Sequence, residues 1–325
     1  MVLIAPPPER PRRLVFMGSP DEAVPALEAL VDAGFDIPLV ITREDRRRGR
    51  RSRPSPTPVK AAALGLGLEV GHDLDASVEV GAELGVVVAY GRIIPGRILD
   101  RLPMVNIHFS LLPRWRGAAP VERALMAGDR ETGVCLMAME RGLDTGPVYA
   151  CESEPIGSED TTVTLKSRLA RRGAQLLVER LSSGLTPPTA QVGESTYAAK
   201  VISDDLRIDW ALPAEVAARL VRVGGAWTRL AGDGGGDGEK GGSGPRLKIH
   251  RARHLAELPS DLFPVPTEVG GTGAPGTLTV ASRRVFVTAA EGFVELLEVQ
   301  PEGRGRQRAA DWVNGARVGT GDRLW

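Results

Sequence analysis

The chain has 325 residues, of which 42% are hydrophobic, and its 41 basic and 41 acidic residues cancel to a formal net charge of zero. This length favours two domains, and the apolar content is enough for real hydrophobic cores. No apolar run reaches the ~18 residues that a membrane helix needs, and the apolar start of the chain is too short for a signal peptide. We therefore expect a soluble cytoplasmic protein that contacts no membrane.

Strands and helices alternate along the first half of the chain. Apolar runs predict buried strands at residues 14–17, 37–41, 84–90, 104–108 and 133–137. Apolar residues at helical spacing or capping residues predict helices after Ser19, at 58–66, at 121–126 and from about 162 to 181. This alternation is typical of a parallel α/β sheet with helices on both faces.

The first of these helices carries start signals. Ser19 can cap the helix N-terminus, Pro20 suits the first helical position, and Glu22 completes a capping box. Pro25 is unfavourable inside a helix, so the helix could also begin a few residues later.

The basic residues concentrate in residues 43–53, which hold seven arginines and two acids. Such a run is usually a solvated loop, but guanidinium groups also bind phosphates bidentately. The run follows the strand at 37–41, and ligands of open parallel sheets bind beyond the carboxyl ends of the strands. Because the rest of the chain is neutral, we expect a local contact with a polyanion rather than a general nucleic-acid surface.

Two polar residues share one face of the strand that ends at His108. Successive strand residues point to opposite faces, so Asn106 and His108 point the same way and lie roughly 7 Å apart. An amide and an imidazole together suit a carbonyl that becomes a tetrahedral oxyanion. The spacing alone is equally compatible with polar residues that bond to loop backbone. Asp144 lies in a turn-rich segment and, taken alone, is best interpreted as an ordinary Asp turn.

The cysteines and histidines give no metal or redox motif. Cys135 and Cys151 lack the Cys-x-x-Cys spacing, and we expect two buried free thiols in a reducing compartment. His250 and His254 have the i, i+4 spacing of a metal pair, but no acidic or cysteine partner accompanies them. We therefore expect no metal.

The second half of the chain predicts a separate domain. Residues 182–188 mark a domain edge, and residues 189–206 form a predicted linker. The Gly-rich run 232–244 predicts a flexible surface loop. A helix at 213–223 is followed by predicted strands at 247–251, 276–280, 285–288 and 294–299. A small antiparallel barrel of the oligonucleotide-binding (OB) kind fits this pattern.

Three stretches together resemble a known family. They are Asn106-Ile107-His108, the sequence SLLPRWRGAAP at 110–120 and the sequence GLDTG at 142–146, and they strongly resemble the methionyl-tRNA formyltransferases. The resemblance covers nearly the whole chain, with further matches at 17–21, 54–60, 89–91, 196–200 and 207–210. The Asn-x-His and Asp set alone marks the wider group of transferases that use 10-formyltetrahydrofolate. The RWRGAAP segment and the second domain narrow the resemblance to the enzymes that act on tRNA.

The resemblance implies an α/β fold in which residues 1–188 form a Rossmann-like, mostly parallel formyltransferase domain that binds folate. It implies a smaller OB-like β-barrel at 207–325 that helps to bind tRNA. The implied reaction moves the formyl group of 10-formyltetrahydrofolate, a co-substrate, to the amino group of methionine on initiator methionyl-tRNA. The product, N-formylmethionyl-tRNA, serves translation initiation. We expect the enzyme to be a monomer without a metal.

The matching motifs also imply site residues. The implied catalytic residues are Asn106 and His108, as oxyanion donors, and Asp144, which orients His108. The implied folate-binding residues are Ser110, Leu111, Leu112, Pro113, Val88, Tyr90 and Gly91. The arginine-rich segment matches the family's inserted loop, which contacts the acceptor stem, and implies tRNA contacts by Arg43, Arg46, Arg47, Arg48 and Arg50.

Other functions stay open at this point. A sugar-nucleotide or glycinamide-ribotide formyltransferase, or a hydrolase that releases formate from formyltetrahydrofolate, would share Asn106, His108 and Asp144. The basic segment and the second domain argue against the ribotide enzyme and less strongly against the sugar enzyme. A noncatalytic RNA-binding module on the same scaffold would be favoured by loss of one of the three residues, and all three are present.

Overall fold

The computed structural model describes residues 7–47, 53–231, 244–262 and 273–325. Arg48, Arg50 and residues 232–243 of the predicted Gly-rich loop therefore lie outside the described residues. The chain divides into two compact units. The first unit comprises Met1–Ala124, Arg130–Ser158 and Val163–Lys200; the second comprises Leu125–Asp129, Glu159–Thr162 and Val201–Trp325. Within the described ranges, no helix combines the length and apolar character needed to cross a bilayer.

The strands up to residue 200 are, in chain order, β1 (Arg13–Gly18), β2 (Asp36–Ile41), β3 (Arg46–Arg47), β4 (Pro54–Ser55), β5 (Val70–Gly71), β6 (Leu84–Val88), β7 (Met104–His108), β8 (Arg116–Gly117), β9 (Glu131–Ala138), β10 (Val148–Pro155) and β11 (Tyr197–Ala198). The helices are α1 (Val24–Asp32), α2 (Pro58–Gly65), α3 (Gly96–Leu99), α4 (Pro120–Ala127) and α5 (Thr162–Ser183).

Seven of these strands form the main sheet, in the order β10-β9-β7-β6-β1-β2-β5. Strands β7, β6, β1, β2 and β5 run parallel, while β9 and β10 are antiparallel additions at one edge. The predicted Rossmann-like, mostly parallel sheet is confirmed.

Helix α5 determines which face of β7 is free for a site. Gly173 of α5 lies so close to β7 that a Cβ at this position would come within 2.7 Å of Ile107 Cγ2. Since strand residues alternate, Asn106 and His108 point to the opposite face. There Asn106 lies across from Val87 of β6, which belongs to a cluster of buried apolar side chains.

Ser19 does not cap a helix. A 3-10 turn at Asp21–Ala23 leads into α1, which begins at Val24 with Pro25 in its first turn and has no side-chain cap. The buried Ser19 hydroxyl instead donates to the Tyr90 carbonyl oxygen at 3.2 Å. The prediction of a Ser19 cap was therefore wrong, because a tertiary partner takes the hydroxyl. The later helix start that Pro25 indicated is confirmed.

The two cysteines are joined in a disulfide. Cys135 on β9 and Cys151 on β10 lie directly opposite each other, with Cα atoms 4.1 Å apart. Cys135 is fully buried and Cys151 is exposed. The prediction of two buried free thiols was wrong, because sequence spacing does not reveal which residues face each other across paired strands.

The strands of the second unit are β12 (Trp227–Arg229), β13 (Arg246–Leu255), β14 (Leu278–Ala281), β15 (Arg284–Thr288), β16 (Phe293–Pro301) and β17 (Gln307–Arg308). Its helices are α6 (Ala214–Val223) and α7 (Ala309–Ala316). All strand pairs are antiparallel, in the order β12-β13-β16-β15-β14 with β17 beside β16. Both helices contribute to the apolar core, whose large members include Trp210, Leu220, Ile249, Val287 and Trp312.

Residues 322–325 join the two edges of this sheet. Trp325 exchanges backbone hydrogen bonds of 3.0 and 2.8 Å with Arg229 of β12. The Leu278 N–H of β14 donates to the Asp322 carbonyl oxygen at 2.7 Å. The sheet is thereby closed, and the predicted OB-like barrel is confirmed.

Candidate active site

Three parallel strands end side by side at one edge of the main sheet. Strand β1 ends at Gly18, β6 at Val88 and β7 at His108, and each pairs with the next. Because the strands share one direction, the loops that follow them meet at the same edge. The loops after β6 and β7 carry the predicted folate-binding residues at 90–91 and 110–113, while the predicted catalytic residues Asn106 and His108 lie among the last residues of β7 itself.

His108 is held by a hydrogen bond at one ring nitrogen and faces Asp144 with the other. Its Nε2–H donates to the Trp115 carbonyl oxygen at 2.8 Å, and since a carbonyl can only accept, Nε2 carries a proton. The Nδ1 atom lies 3.7 Å from Asp144 Oδ2, which is too long for a direct hydrogen bond but within ion-pair range. The side chain is 6% exposed. The structure thus brings the buried His108 side chain and the Asp144 carboxylate together.

Asp144 does not bond within its own turn. Its backbone is left-handed, with φ 52°, and its Oδ2 accepts the Gly117 N–H of β8 at 2.8 Å. Gly117 itself has φ 120°, and a Cβ there would lie 2.8 Å from the Ala198 carbonyl oxygen of β11. Only glycine therefore lets β8 lie this close to β11 and present its N–H to the carboxylate. Asp144 thus lies in a turn and bonds to backbone, as its sequence context indicates, but that backbone belongs to β8 and not to the turn itself.

Asn106 differs from its neighbours because the fold makes no use of its amide. The side chain is half-buried on the same face as His108 and has no hydrogen-bond partner in the parts of the chain that the structure describes. A fixed strand therefore presents an amide donor and acceptor to a ligand.

The predicted folate-binding residues at 88 and 110–113 fall into two groups. Val88 and Pro113 are buried, and the Ser110 hydroxyl donates to the Arg114 carbonyl oxygen at 2.5 Å, so these side chains serve the protein interior. The Leu111 and Leu112 side chains remain half-exposed. The second group therefore offers apolar surface to a flat ligand.

The loop after β6 offers backbone rather than side chains. Ala89 and Gly91 both have left-handed backbone, with φ 44° and 76°. Tyr90 between them is 2% exposed, and its hydroxyl has no hydrogen-bond partner within the described ranges. This tight turn exposes peptide groups beside the end of β7, where they can bond to the polar edge of a ligand.

The arginines of the basic segment lie at the same edge of the sheet. Arg43 is half-buried, with its N–H 3.3 Å from Ser19 Oγ and its guanidinium beside Gly91. Arg46 and Arg47 form β3, which pairs with β4, and their exposed side chains have no ion-pair partner among the described residues. A concavity of about 390 Å³ lies against this segment and is lined in part by Arg43 and Arg46.

Sequence reasoning missed the contribution of residues 189–200, which fell in the predicted linker. Thr196 Oγ1 accepts the Trp115 N–H at 2.8 Å, and the Arg116 N–H donates to the Thr196 carbonyl oxygen at 2.9 Å. Gln191 contacts Arg116 and the Asp144 loop. The family match at 196–200 was the one signal in this segment, and no pattern marked Gln191.

The site holds the parts for acyl transfer. It combines an unused amide, an imidazole and a carboxylate at the end of a sheet, which can stabilise an oxyanion and move protons. Among the described residues, no group of three or more His, Cys, Asp or Glu side chains could hold a metal ion. His250 instead places Nε2 3.0 Å from Gln300 Oε1.

Comparison with known proteins gives consistent similarities. The family described as Formyl transferase matches residues 12–181, and its C-terminal domain matches residues 200–317. The methionyl-tRNA formyltransferase of Roseobacter denitrificans is 44% identical over 95% of this chain and 97% of its own. The methionyl-tRNA formyltransferase of Ruegeria pomeroyi is 42% identical over 96% of this chain and 100% of its own length. The fold resembles an N-formyltransferase from Helicobacter canadensis, solved with folinic acid and dTDP-3-aminofucose, with a TM-score of 0.62, 16% identity and coverage of 89% and 98%.

Proposed function

Because the chain belongs to the methionyl-tRNA formyltransferase family, we propose that it formylates the amino group of methionine on initiator tRNA, with 10-formyltetrahydrofolate as the donor. The product is N-formylmethionyl-tRNA, which serves translation initiation. The observation that carries the assignment is the unused Asn106 amide on the same strand face as His108, with Asp144 3.7 Å from the imidazole.

The reaction needs a site that stabilises charge on the formyl oxygen and moves two protons. Asn106 donates its amide N–H to the formyl oxygen as the methionine amine attacks the formyl carbon. Protonated His108 donates from Nδ1 toward the reacting group, and it supplies the proton that the departing folate nitrogen takes up. Asp144 stabilises the imidazolium and accepts, through a water, the proton that the methionine nitrogen loses once it has bonded to the formyl carbon.

We assign the folate site to the loops after β6 and β7. The turn at 89–91 offers peptide groups to the polar edge of the pterin, and Leu111 and Leu112 offer apolar surface to its ring. Val88, Tyr90, Ser110 and Pro113 act by shaping these loops, as their burial indicates. The residues therefore fit a flat, polar-edged co-substrate.

We assign the tRNA contact near the reacting end to the arginine-rich segment. Arg43, Arg46 and Arg47 lie at the site edge, and Arg46 and Arg47 have exposed guanidinium groups available to phosphates. Arg48 and Arg50 are included on their place in the sequence. Residues 1–188 would then form the domain that binds folate and carries out catalysis. Residues 189–206 would connect it to residues 207–325, which would make further tRNA contacts. Since one chain supplies every residue of the site, we propose a monomer that works in the cytoplasm.

The test is formyl transfer by the purified protein from 10-formyltetrahydrofolate, with methionylated initiator and elongator tRNA offered in parallel. We expect rapid formylation of the initiator tRNA alone. Transfer to neither tRNA would overturn the proposal. Formylation of an amino-sugar nucleotide in a third reaction would then identify a sugar enzyme, and release of free formate would identify a hydrolase.

A further inference from the structure

We propose that Gln191 is a positioning residue for formyl transfer, which holds the Asp144 carboxylate against His108; this inference rests on the function proposed above. Gln191 lies in the first unit, at a position that no sequence motif marked. Its half-buried side chain makes four hydrogen bonds, and all four go to the backbone or side chains that surround Asp144.

The bonds saturate the Gln191 amide. Its Oε1 accepts from Arg116 Nε at 3.0 Å and Arg116 Nη2 at 2.7 Å. Its Nε2 donates to the carbonyl oxygens of Asp144 at 2.9 Å and Gly146 at 2.8 Å. A guanidinium can only donate and a carbonyl can only accept, so the partners fix the orientation of the amide. The two donors and two acceptor sites of the amide are all used.

These bonds connect the two backbone segments that determine where the Asp144 carboxylate lies. One segment is the loop that contains Asp144, whose left-handed backbone needs support from outside the loop. The other is β8, where Arg116 precedes Gly117, the donor to Asp144 Oδ2 at 2.8 Å. Gln191 therefore fixes the carboxylate from both sides, and through it the 3.7 Å separation from His108 Nδ1.

Loss of this connection should act on rate rather than on substrate affinity. Gln191 contacts none of the residues assigned to folate or tRNA in the described chain. Without it, the Asp144 loop keeps the bond between its carboxylate and the Gly117 N–H of β8 but loses the two bonds that hold its backbone. A misplacement of about 1 Å in a catalytic group can cost ~10²-fold in rate.

Two substitutions separate the bonds that Gln191 makes to Arg116 from those that it makes to the Asp144 loop. Gln191→Leu removes all four bonds. Gln191→Glu keeps acceptors for Arg116 but places an oxygen against the Asp144 and Gly146 carbonyls, so it removes only the bonds to the Asp144 loop. We expect both variants to lower the single-turnover rate by about 10²-fold and to leave the KM for folate and for tRNA within about threefold of wild type. A wild-type rate in Gln191→Glu would overturn the proposal.

A double-mutant cycle tests whether Gln191 acts through Asp144. In an Asp144→Ala background, Gln191→Leu should lower the rate by less than about threefold, because the group that it positions is gone. An equal loss in both backgrounds would show a structural role alone and would overturn the proposal. The matched control is Gln300→Leu in the second unit, which also breaks side-chain bonds, to His250 and to the Arg304 carbonyl oxygen. We expect its rate to stay within about twofold of wild type.

Hydrogen exchange gives a readout that does not require activity. The Gly117 N–H donates to the Asp144 carboxylate, whereas the N–H groups of Arg116 and Ala118 donate to residues 196–198. NMR should therefore show faster exchange of the Gly117 amide in Gln191→Glu, and unchanged exchange there would contradict the proposal. If wild-type protein transfers no formyl group at all, the proposed function fails, and the Gly117 exchange still decides whether Gln191 holds Asp144.

Discussion

Asn106 and Gln191 are both amides at the same site, and the fold uses them in opposite ways. Both donors and both acceptor sites of the Gln191 amide bond to protein groups, whereas the Asn106 amide has no hydrogen-bond partner in the described chain. A saturated amide holds other groups in place, and an unsatisfied one on a rigid strand is ready for a ligand. In the proposed reaction we therefore expect Gln191 to position Asp144 and Asn106 to stabilise the oxyanion.

The first prediction concerns Asn106→Ala. We expect the rate of formyl transfer to fall by ~10²–10³-fold, the usual cost of losing one oxyanion donor. We expect little change in the free energy of unfolding or in tRNA binding, because the amide supports neither the fold nor a phosphate contact. Single-turnover kinetics and filter binding measure both effects. The matched control is Asn314→Ala, at the other asparagine of the chain, which is exposed on α7. Normal turnover by Asn106→Ala would remove the residue from the mechanism.

The sequence predicted the site residues only where short-range rules apply. The period of two along a strand places Asn106 and His108 on one face without any knowledge of the fold. No such rule brings Asp144 to Gly117, 27 residues away, or Gln191 to Asp144, 47 residues away. The resemblance to a family predicted that Asp144 belongs to the site, whereas no feature of the sequence predicted this of Gln191.

At the scale of elements, the sequence predicted the strands well because they are apolar runs with clear ends. Strands β1, β2, β6, β7 and β9 all overlap their predicted spans. The errors arose where an element's residue found a distant partner. The Ser19 hydroxyl bonds to Tyr90 instead of a helix terminus, and Cys135 meets Cys151 because β9 and β10 pair in that register.

Strand β16 carries a buried acid between two neighbouring strands. Glu295 is 3% exposed and bonds to Arg253 of β13 at 2.6 Å and to Arg284 of β15 at 2.6 and 3.0 Å. Burial raises the pKa of Glu295, but the hydrogen bonds from Arg284 and Arg253 outweigh burial and hold that pKa below its usual value. The ionised carboxylate thus links three strands of the barrel.

The second prediction concerns Glu295→Gln. At pH 7 we expect the free energy of unfolding to fall by about 2 kcal/mol, within the range for hydrogen bonds to charged groups. Because the folded-state pKa is lowered, the contribution of the carboxylate is complete above the unfolded-state pKa of about 4.3 and is lost as pH falls through the folded-state pKa. The difference between wild type and variant should therefore shrink below about pH 4.

Tryptophan fluorescence during denaturant unfolding measures this difference, since four of the five tryptophans lie in the second unit. Glu298→Gln on the same strand is the control, because Glu298 has no ion pair in the described chain. We expect it to change stability by less than about 0.5 kcal/mol. A Glu295→Gln effect of equal size at pH 7 and pH 3.5 would contradict the prediction.

At the scale of the whole molecule, zero net charge means that a polyanion must be attracted locally. The arginine-rich segment supplies such a local field at the edge where the site lies. The methionyl-tRNA formyltransferase family, which the motifs predicted, was confirmed by relatives of 40–44% identity over nearly the full chain. A tRNA substrate on a neutral protein is consistent with a few concentrated phosphate contacts.

The third prediction concerns the double variant Arg46→Gln/Arg47→Gln. We expect weaker binding of tRNA, with the slope of log affinity against log salt reduced by about 2, roughly one for each lost phosphate contact. The KM for the folate donor should not change. Binding assays at several salt concentrations give the slope, with Arg101→Gln/Arg171→Gln as a control at exposed arginines elsewhere in the first unit. An unchanged slope would mean that the segment does not meet phosphates.

The closure of the barrel by residues 322–325 bears on how the protein is made. Thr228 of β12 and Trp325 are bonded at 2.8 Å but stand 97 residues apart in the chain. On the ribosome, β12 therefore emerges long before its closing partner exists, while all seven strands of the main sheet have been translated once Pro155 is added. N-terminal domains generally fold first during synthesis, and long-range strand pairing is slow. The main sheet can thus assemble during translation, whereas the barrel closes only when residues 322–325, which follow all of its strands in the chain, have been translated.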